Sequence, residues 1–288
     1  MAGLGQAWDH YWFRPAFPLG LIAARVLLAA NALWIVLSRA DLADLAGWPP
    51  ELWAGVPLGL RLRYLILPVA PSLEQAAYVL LGTSLLAALV GVAPRVSCFV
   101  AATLLYHFAP FEEILTTRTG PYQGGLTLPT LGLFVLSFVP APGWRSAPSP
   151  DCRWPVVLVR VLLAFSYLFA GVAKLTLTGL HWVSAENIEA TALLFMTYEA
   201  PPPWAHWLVD HPWNARLAGI GVWAFEMLFV SAVFWRTAAR IAVPLGLAYH
   251  MFVFEVFGSF PFNAPLLLLM VDWDALEAHW GGRGAPVA

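Results

Sequence analysis

Lysine is almost missing from this chain of 288 residues: Lys174 is the only one. Charge of either sign is scarce as well, with Asp, Glu, Lys and Arg making up 11% of the residues, against about 25% in an ordinary soluble domain. The net charge of -2 leaves no basic surface to attract a phosphodiester backbone, so nucleic acid is excluded as a partner. Cysteine is limited to Cys98 and Cys152, 54 positions apart and without a CxxC pair. That spacing argues against thiol redox chemistry, and both residues read as ordinary buried packing. Gly-rich phosphate loops and Ser-His-Asp arrangements are missing too.

What is abundant is apolar. Hydrophobic residues make up 60% of the chain, the mean hydropathy is +0.71, and there are 15 tryptophans and 24 prolines. A chain of this kind is counted in membrane spans of about 20 residues. The expected fold is all-α, a polytopic transmembrane bundle of about eight spans with interfacial or re-entrant segments, forming a single domain over 1–288. The start, "MAGLGQAWDHYWFRP", has no basic region or small-residue cleavage site, so the first apolar run is expected to remain as an anchor.

The spans are expected at Leu19–Leu37, broken only by Arg25 and Asn31, then Ala76–Ala93, Val96–Phe111 and a short, Pro-containing Leu126–Val139. A second set follows at Val156–Lys174, Leu217–Trp235, Ile241–Phe257 and the proline-broken Pro261–Val271. Ala40–Ser72 is rich in Pro, Gly and Trp and carries Arg61 and Arg63, which suits an interfacial segment. The stretch "APGWRSAPSPDCRWP" reads as a linker over 144–155, separating a first half, 1–143, from a second half, 156–288. The tryptophan-rich stretch after Lys174 reads as a cap lying on the membrane.

Arginine placement gives an orientation. Eight spans with the amino end inside put Arg14, Arg95, Arg145, Arg153, Arg236, Arg240 and Arg283 on the inner side and Arg39, Arg61, Arg63 and Arg118 on the outer side. The chain is therefore expected in a cell inner membrane with both termini cytoplasmic, and Lys174 on the outer face.

Ionisable groups inside a span are costly, so each needs a reason. Arg160, Tyr167 and Lys174 are spaced seven and seven, which keeps them within about 40° of one line on a helix. Ala170 and Gly171 lie beside this stripe and would let another helix approach closely. Lys174 has two readings. It snorkels its ammonium to outer-leaflet water, or it is desolvated enough to serve as a base. Glu226, in the middle of "GIGVWAFEMLFVSAVFW", needs a partner, for which Arg160, Arg25 and His250 are the candidates.

His250 and His107 read as hydrogen-bonded interhelical residues, and the histidines are too few for a di-haem protein, so no haem is expected. His181, Glu186 and Glu189 lack a recognised zinc spacing and read as a solvated face, so no metal is expected. The repeat symmetry and paired broken helices of a transporter are not visible.

The run "RVLLAFSYLFAGVAKLTLTGLHW" resembles the signature span of the vitamin K-dependent gamma-carboxylase-like transmembrane family, also called the HTTM domain. The residues that carry the resemblance are Arg160, Tyr167, Ala170, Gly171, Lys174 and Trp182. "WAFEMLF", with Glu226, and "YHMFVFEVFGSFPFNAPLLL", with His250, are similar to later spans of that family. The resemblance implies Lys174 as the weak base that deprotonates reduced vitamin K or another lipid quinol, with His250 beside it in catalysis. It implies a substrate pocket lined by Arg160, Tyr167, Trp182 and Glu226. The implied partners are membrane lipid and a secreted peptide. The alternative is a non-enzymatic maturation or export partner of such a peptide, acting with a partner protein, similar to the sporulation-delaying-protein-B-like group.

Overall fold

The computed structural model describes residues 3–38, 71–115, 125–196, 206, 208–257 and 263–280. Among these the chain is helical, and its one β-type pairing is a bridge between Ala16 and Ser149. Five helical stretches are long and apolar enough to cross a membrane: Pro18–Ser38, Ser72–Val90, Pro150–Val183, Pro212–Phe234 and Arg236–Glu255. The interfacial segment expected over Ala40–Ser72 lies almost wholly outside the described residues, as do Arg39, Arg61, Arg63, Arg118 and Arg283.

The fold divides into two compact units, 1–159 with 273–288, and 160–272. In the first, α1 (Leu4–Phe13) and α2 (Pro18–Ser38) are followed by α3 (Pro71–Val90), α4 (Pro94–Leu115) and α5 (Thr127–Ser137). The core helix is α2, on which Ala24, Leu28, Ala29 and Ala32 are fully buried. Small side chains alternate there with leucine, so neighbouring helices approach it closely. Tyr78 on α3 donates its hydroxyl proton to the Val36 carbonyl at 2.8 Å, while Gly91, just past the end of α3, meets Arg25. These contacts run α2 and α3 antiparallel. Gly132 of α5 faces Leu28, and a Cβ there would sit 2.6 Å from a leucine methyl, so the crossing requires glycine.

The linker is tied down. Ala16 and Ser149 exchange two backbone hydrogen bonds at 3.1 and 3.0 Å, and residues Pro150–Cys152 form a 3-10 turn. The last described helix, α11 (Trp273–Trp280), caps α2: Glu277 accepts from the Leu19 N–H at 2.9 Å and Asp274 from the Phe17 N–H at 3.1 Å. Carboxylates at a helix amino end satisfy orphan N–H groups and complement the helix dipole.

The second unit takes most of α6 (Trp154–Thr178), then α7 (Ala185–Met196), α8 (Pro212–Leu228), the short α9 (Ser231–Phe234) and α10 (Arg236–Phe257). Two expected spans change on inspection. The run Pro261–Val271 holds a 3-10 helix of seven residues, Ala264–Met270, about 14 Å long at about 2.0 Å per residue and too short to cross a hydrocarbon layer of about 30 Å. Pro265 sits in its first turn, where the missing N–H leaves no helical bond unmade. Likewise α5 has 11 residues, about 16 Å of helix.

Val96–Phe111 is helical within α4, which begins at Pro94 and runs to Leu115, but α4 is not among the helices long and apolar enough to cross. Arg95, Glu112 and Glu113 lower its hydropathy. Span two also starts earlier than expected, at Pro71, because Glu74 is accommodated inside the helix: it is 4% exposed and paired with His107 Nε2 of α4 at 3.0 Å. His107 therefore does act as an interhelical hydrogen-bonding residue.

Candidate functional site

The lone lysine is held by the mid-span glutamate. Lys174 Nζ on α6 donates to both carboxylate oxygens of Glu226 on α8, at 2.6 and 2.7 Å. Glu226 is 3% exposed, while the lysine side chain keeps 21% of its surface accessible. A buried carboxylate with an ammonium at this distance exchanges two hydration shells for one short contact, and it persists only if the remaining lone pairs are satisfied. Tyr249 of α10 completes that set by donating its hydroxyl to Glu226 Oε1 at 3.1 Å.

The local reason for the pairing is Gly171. A Cβ at that position would meet Met227 Sδ at 2.9 Å and Glu226 Cβ at 3.3 Å, so only glycine lets α8 come this close. The Gly171 carbonyl accepts from Trp223 Nε1 at 3.2 Å, which pins the crossing. Lys174 lies three residues further along the same face of α6, and its four-carbon stem reaches the carboxylate. This corrects the candidate partners for Glu226: the residues that hold it are Lys174 and Tyr249.

A second polar pair lies beside the first. The Tyr167 hydroxyl is hydrogen-bonded to His250 Nε2. The rings of Tyr167, Phe225, Phe229, Tyr249 and His250 form one aromatic cluster, with Phe225 and Tyr249 stacked at 4.7 Å and Tyr167 and Phe229 tilted at 48° with centroids 4.5 Å apart. Trp182, in the 3-10 turn Gly179–Val183, presents its ring to Lys174 Nζ at 4.9 Å, a cation–π contact. Five of the six residues singled out from the sequence, Tyr167, Lys174, Trp182, Glu226 and His250, thus gather around the meeting of α6, α8 and α10.

Arg160 is placed elsewhere. It donates from Nε to the Leu269 carbonyl at 2.6 Å and from Nη2 to the Val271 carbonyl at 2.7 Å, anchoring the 3-10 helix Ala264–Met270. The spacing that keeps Arg160 and Lys174 on one line of α6 also separates them by fourteen residues, about 21 Å of helix. A shared helix face is not a shared pocket. Tyr249 is the residue that sequence reasoning missed. Its signal was a hydroxyl next to His250 in the otherwise apolar "GLAYHMF".

The cap residues do not converge on a metal. His181 is exposed and within 3.5 Å of the Ser184 hydroxyl, and Glu186 is exposed at the start of α7. Hydrogen bonds from Glu186's own backbone N–H and from Ser184 hold its carboxyl below the usual carboxylate range. Among the described residues no group of three His, Cys, Asp or Glu side chains is arranged to bind a metal ion.

No protein-family model, curated protein or solved structure matches this chain.

Proposed function

We propose that this chain is a membrane-embedded proton-transfer protein in which Lys174 and Glu226 act as a paired acid and base on a lipid-soluble quinol, such as reduced vitamin K, or in modifying a secreted peptide. The observation that carries this reading is the bidentate contact between the chain's only lysine and a buried carboxylate of a second span, at 2.6 and 2.7 Å. In this reading the Glu226 carboxylate takes the proton from Nζ, the freed amine accepts the proton of a hydroxyl arriving from the lipid side, and the Tyr249 hydroxyl steadies the carboxyl.

The Trp182 ring beside Nζ provides flat apolar surface of the kind that a quinol ring stacks on, and the buried rings of Phe225 and Phe229 back the site from within. His250, oriented by Tyr167, is the second proton carrier of the site. This chemistry agrees with the resemblance to the vitamin K-dependent gamma-carboxylase-like family. In this reading the helices too short to cross singly complete a bundle of about eight spans in a cell inner membrane, both termini cytoplasmic, with Lys174 toward the outer face.

The test is quinol consumption, or modification of a co-expressed secreted peptide, by wild type and by Lys174→Ala in membranes. Loss of turnover in a folded variant supports the role, and unchanged turnover removes Lys174 from the chemistry. A second reading has its own support: Glu226 has its oxygens satisfied within the protein, as in a structural tie between helices. In that case the protein presents or matures a peptide without catalysis, and Lys174→Ala lowers stability while leaving peptide maturation intact.

A further inference from the structure

In the first unit Arg25 is partly buried and keeps one donor without an acceptor among the described residues. Arg25 lies on the eighth residue of α2, about 10 Å from the helix start, and its Nε is buried without a hydrogen-bond acceptor. Among the described residues no carboxylate pairs with it. The backbone makes room for it instead: Gly91, at φ +82, leaves the place of a Cβ empty, and that position is 2.9 Å from Arg25 Nη2. A buried donor without an acceptor is unfavourable in apolar surroundings unless a ligand supplies one.

Beside Arg25 opens a cleft of about 20 Å³ lined by Arg25, Arg95, Leu21, Cys98, Leu136 and Pro140, among other residues. Arg95 is exposed and donates from Nε to the Ser137 carbonyl at 3.3 Å, which fixes its guanidinium at the cleft without neutralising it. Among the described residues no acidic side chain lines the cleft. Its volume is on the order of one or two water-sized spheres, enough for an oxygen of a larger group whose body stays outside.

We propose that Arg25 and Arg95 form a binding site for a phosphate oxyanion, one oxygen of which enters this cleft. Guanidinium groups take phosphate in forked, charge-assisted hydrogen bonds, and two of them flanking a small apolar cleft select an oxyanion over a neutral solute. The phosphate comes either from an anionic phospholipid headgroup or from free inorganic phosphate, and both present the same oxygens.

The experiment is thermal unfolding of the full chain in neutral detergent, titrated with phosphatidylglycerol or, separately, with sodium phosphate at ionic strength matched by chloride. Wild type is expected to gain stability with at least one of them. Arg25→Gln should weaken the apparent affinity tenfold or more, and Arg95→Gln about threefold. Arg236→Gln, whose ion pair with Asp272 lies in the other unit, should respond as wild type does. A response to phosphatidylglycerol alone identifies a lipid headgroup, and a response to phosphate as well identifies a general phosphate site. No stabilisation by either compound overturns the proposal. Equal titration curves for wild type and Arg95→Gln also overturn it, and that exposed variant decides the matter if Arg25→Gln fails to fold.

Discussion

The two compact units treat buried charge in opposite ways. In the second, Lys174 and Glu226 neutralise one another, Tyr249 fills the remaining acceptor, and Arg160 is spent on two backbone carbonyls. In the first, Glu74 and His107 are paired, yet Arg25, partly buried, keeps its Nε unmatched beside an open cleft. A closed network supports stability and internal proton movement, whereas an unmatched guanidinium supports capture of a charge from outside. Buried ions therefore carry different meanings in one chain, and the difference lies in whether the counter-charge is part of the fold.

The largest effect should come from opening the closed network. Glu226→Gln or Lys174→Ala each strands one partner and should cost about 3–5 kcal/mol of stability, read from chemical or thermal unfolding in detergent. The double variant Lys174→Met with Glu226→Leu should recover most of that loss, because it removes both charges together. If the double variant is stable but no longer consumes quinol, the pair is catalytic; if peptide maturation continues, the pair is a tie.

Tyr249→Phe removes the one remaining donor to Glu226 while keeping the stacked ring, and should cost about 1.5–3 kcal/mol in the same unfolding measurement. Arg25→Leu sharpens the contrast: with no internal partner to strand, it should change stability in lipid-free neutral detergent by less than about 1 kcal/mol or raise it. A loss as large as that of Lys174→Ala would mean that Arg25 has an internal role resembling that of the second unit's ions.

The smallest effect concerns α7. The Glu186 carboxyl titrates below its usual range because its own N–H and Ser184 bond the charged form. A depressed carboxylate contributes above the unfolded-state value and loses that contribution as pH falls through the lowered one. Protection factors of the amides in the first turn of α7, corrected for the intrinsic pH dependence of exchange, should therefore hold from neutral pH to the ordinary carboxylate range and fall only below it.

Much of the helical layout was legible because apolar run length maps directly onto helix length. The runs beginning at Leu19, Val156, Leu217 and Ile241 each coincide with a helix able to cross. What failed was tied to polar residues whose partners are distant in sequence. The span expected from Ala76 left out Glu74, whose partner His107 is 33 positions away, and Glu226 had three candidate partners while its actual ones, Lys174 and Tyr249, are 52 and 23 positions off. Pro265 at the start of the last apolar run was visible, but its tightening into a 3-10 helix held by Arg160 was not.

The sequence by itself determined that the chain is helical and built for a membrane, since apolar content and run length leave the backbone no other way to satisfy its hydrogen bonds in hydrocarbon. It also singled out Lys174 and Glu226 as charges in need of an explanation, with Arg25 as a candidate partner. Only the tertiary structure decided which of them is answered from within. That depends on where glycine lets helices touch, at Gly171 for Lys174 and Glu226 and at Gly91 for Arg25, and a contact between distant segments leaves no periodic trace in the chain.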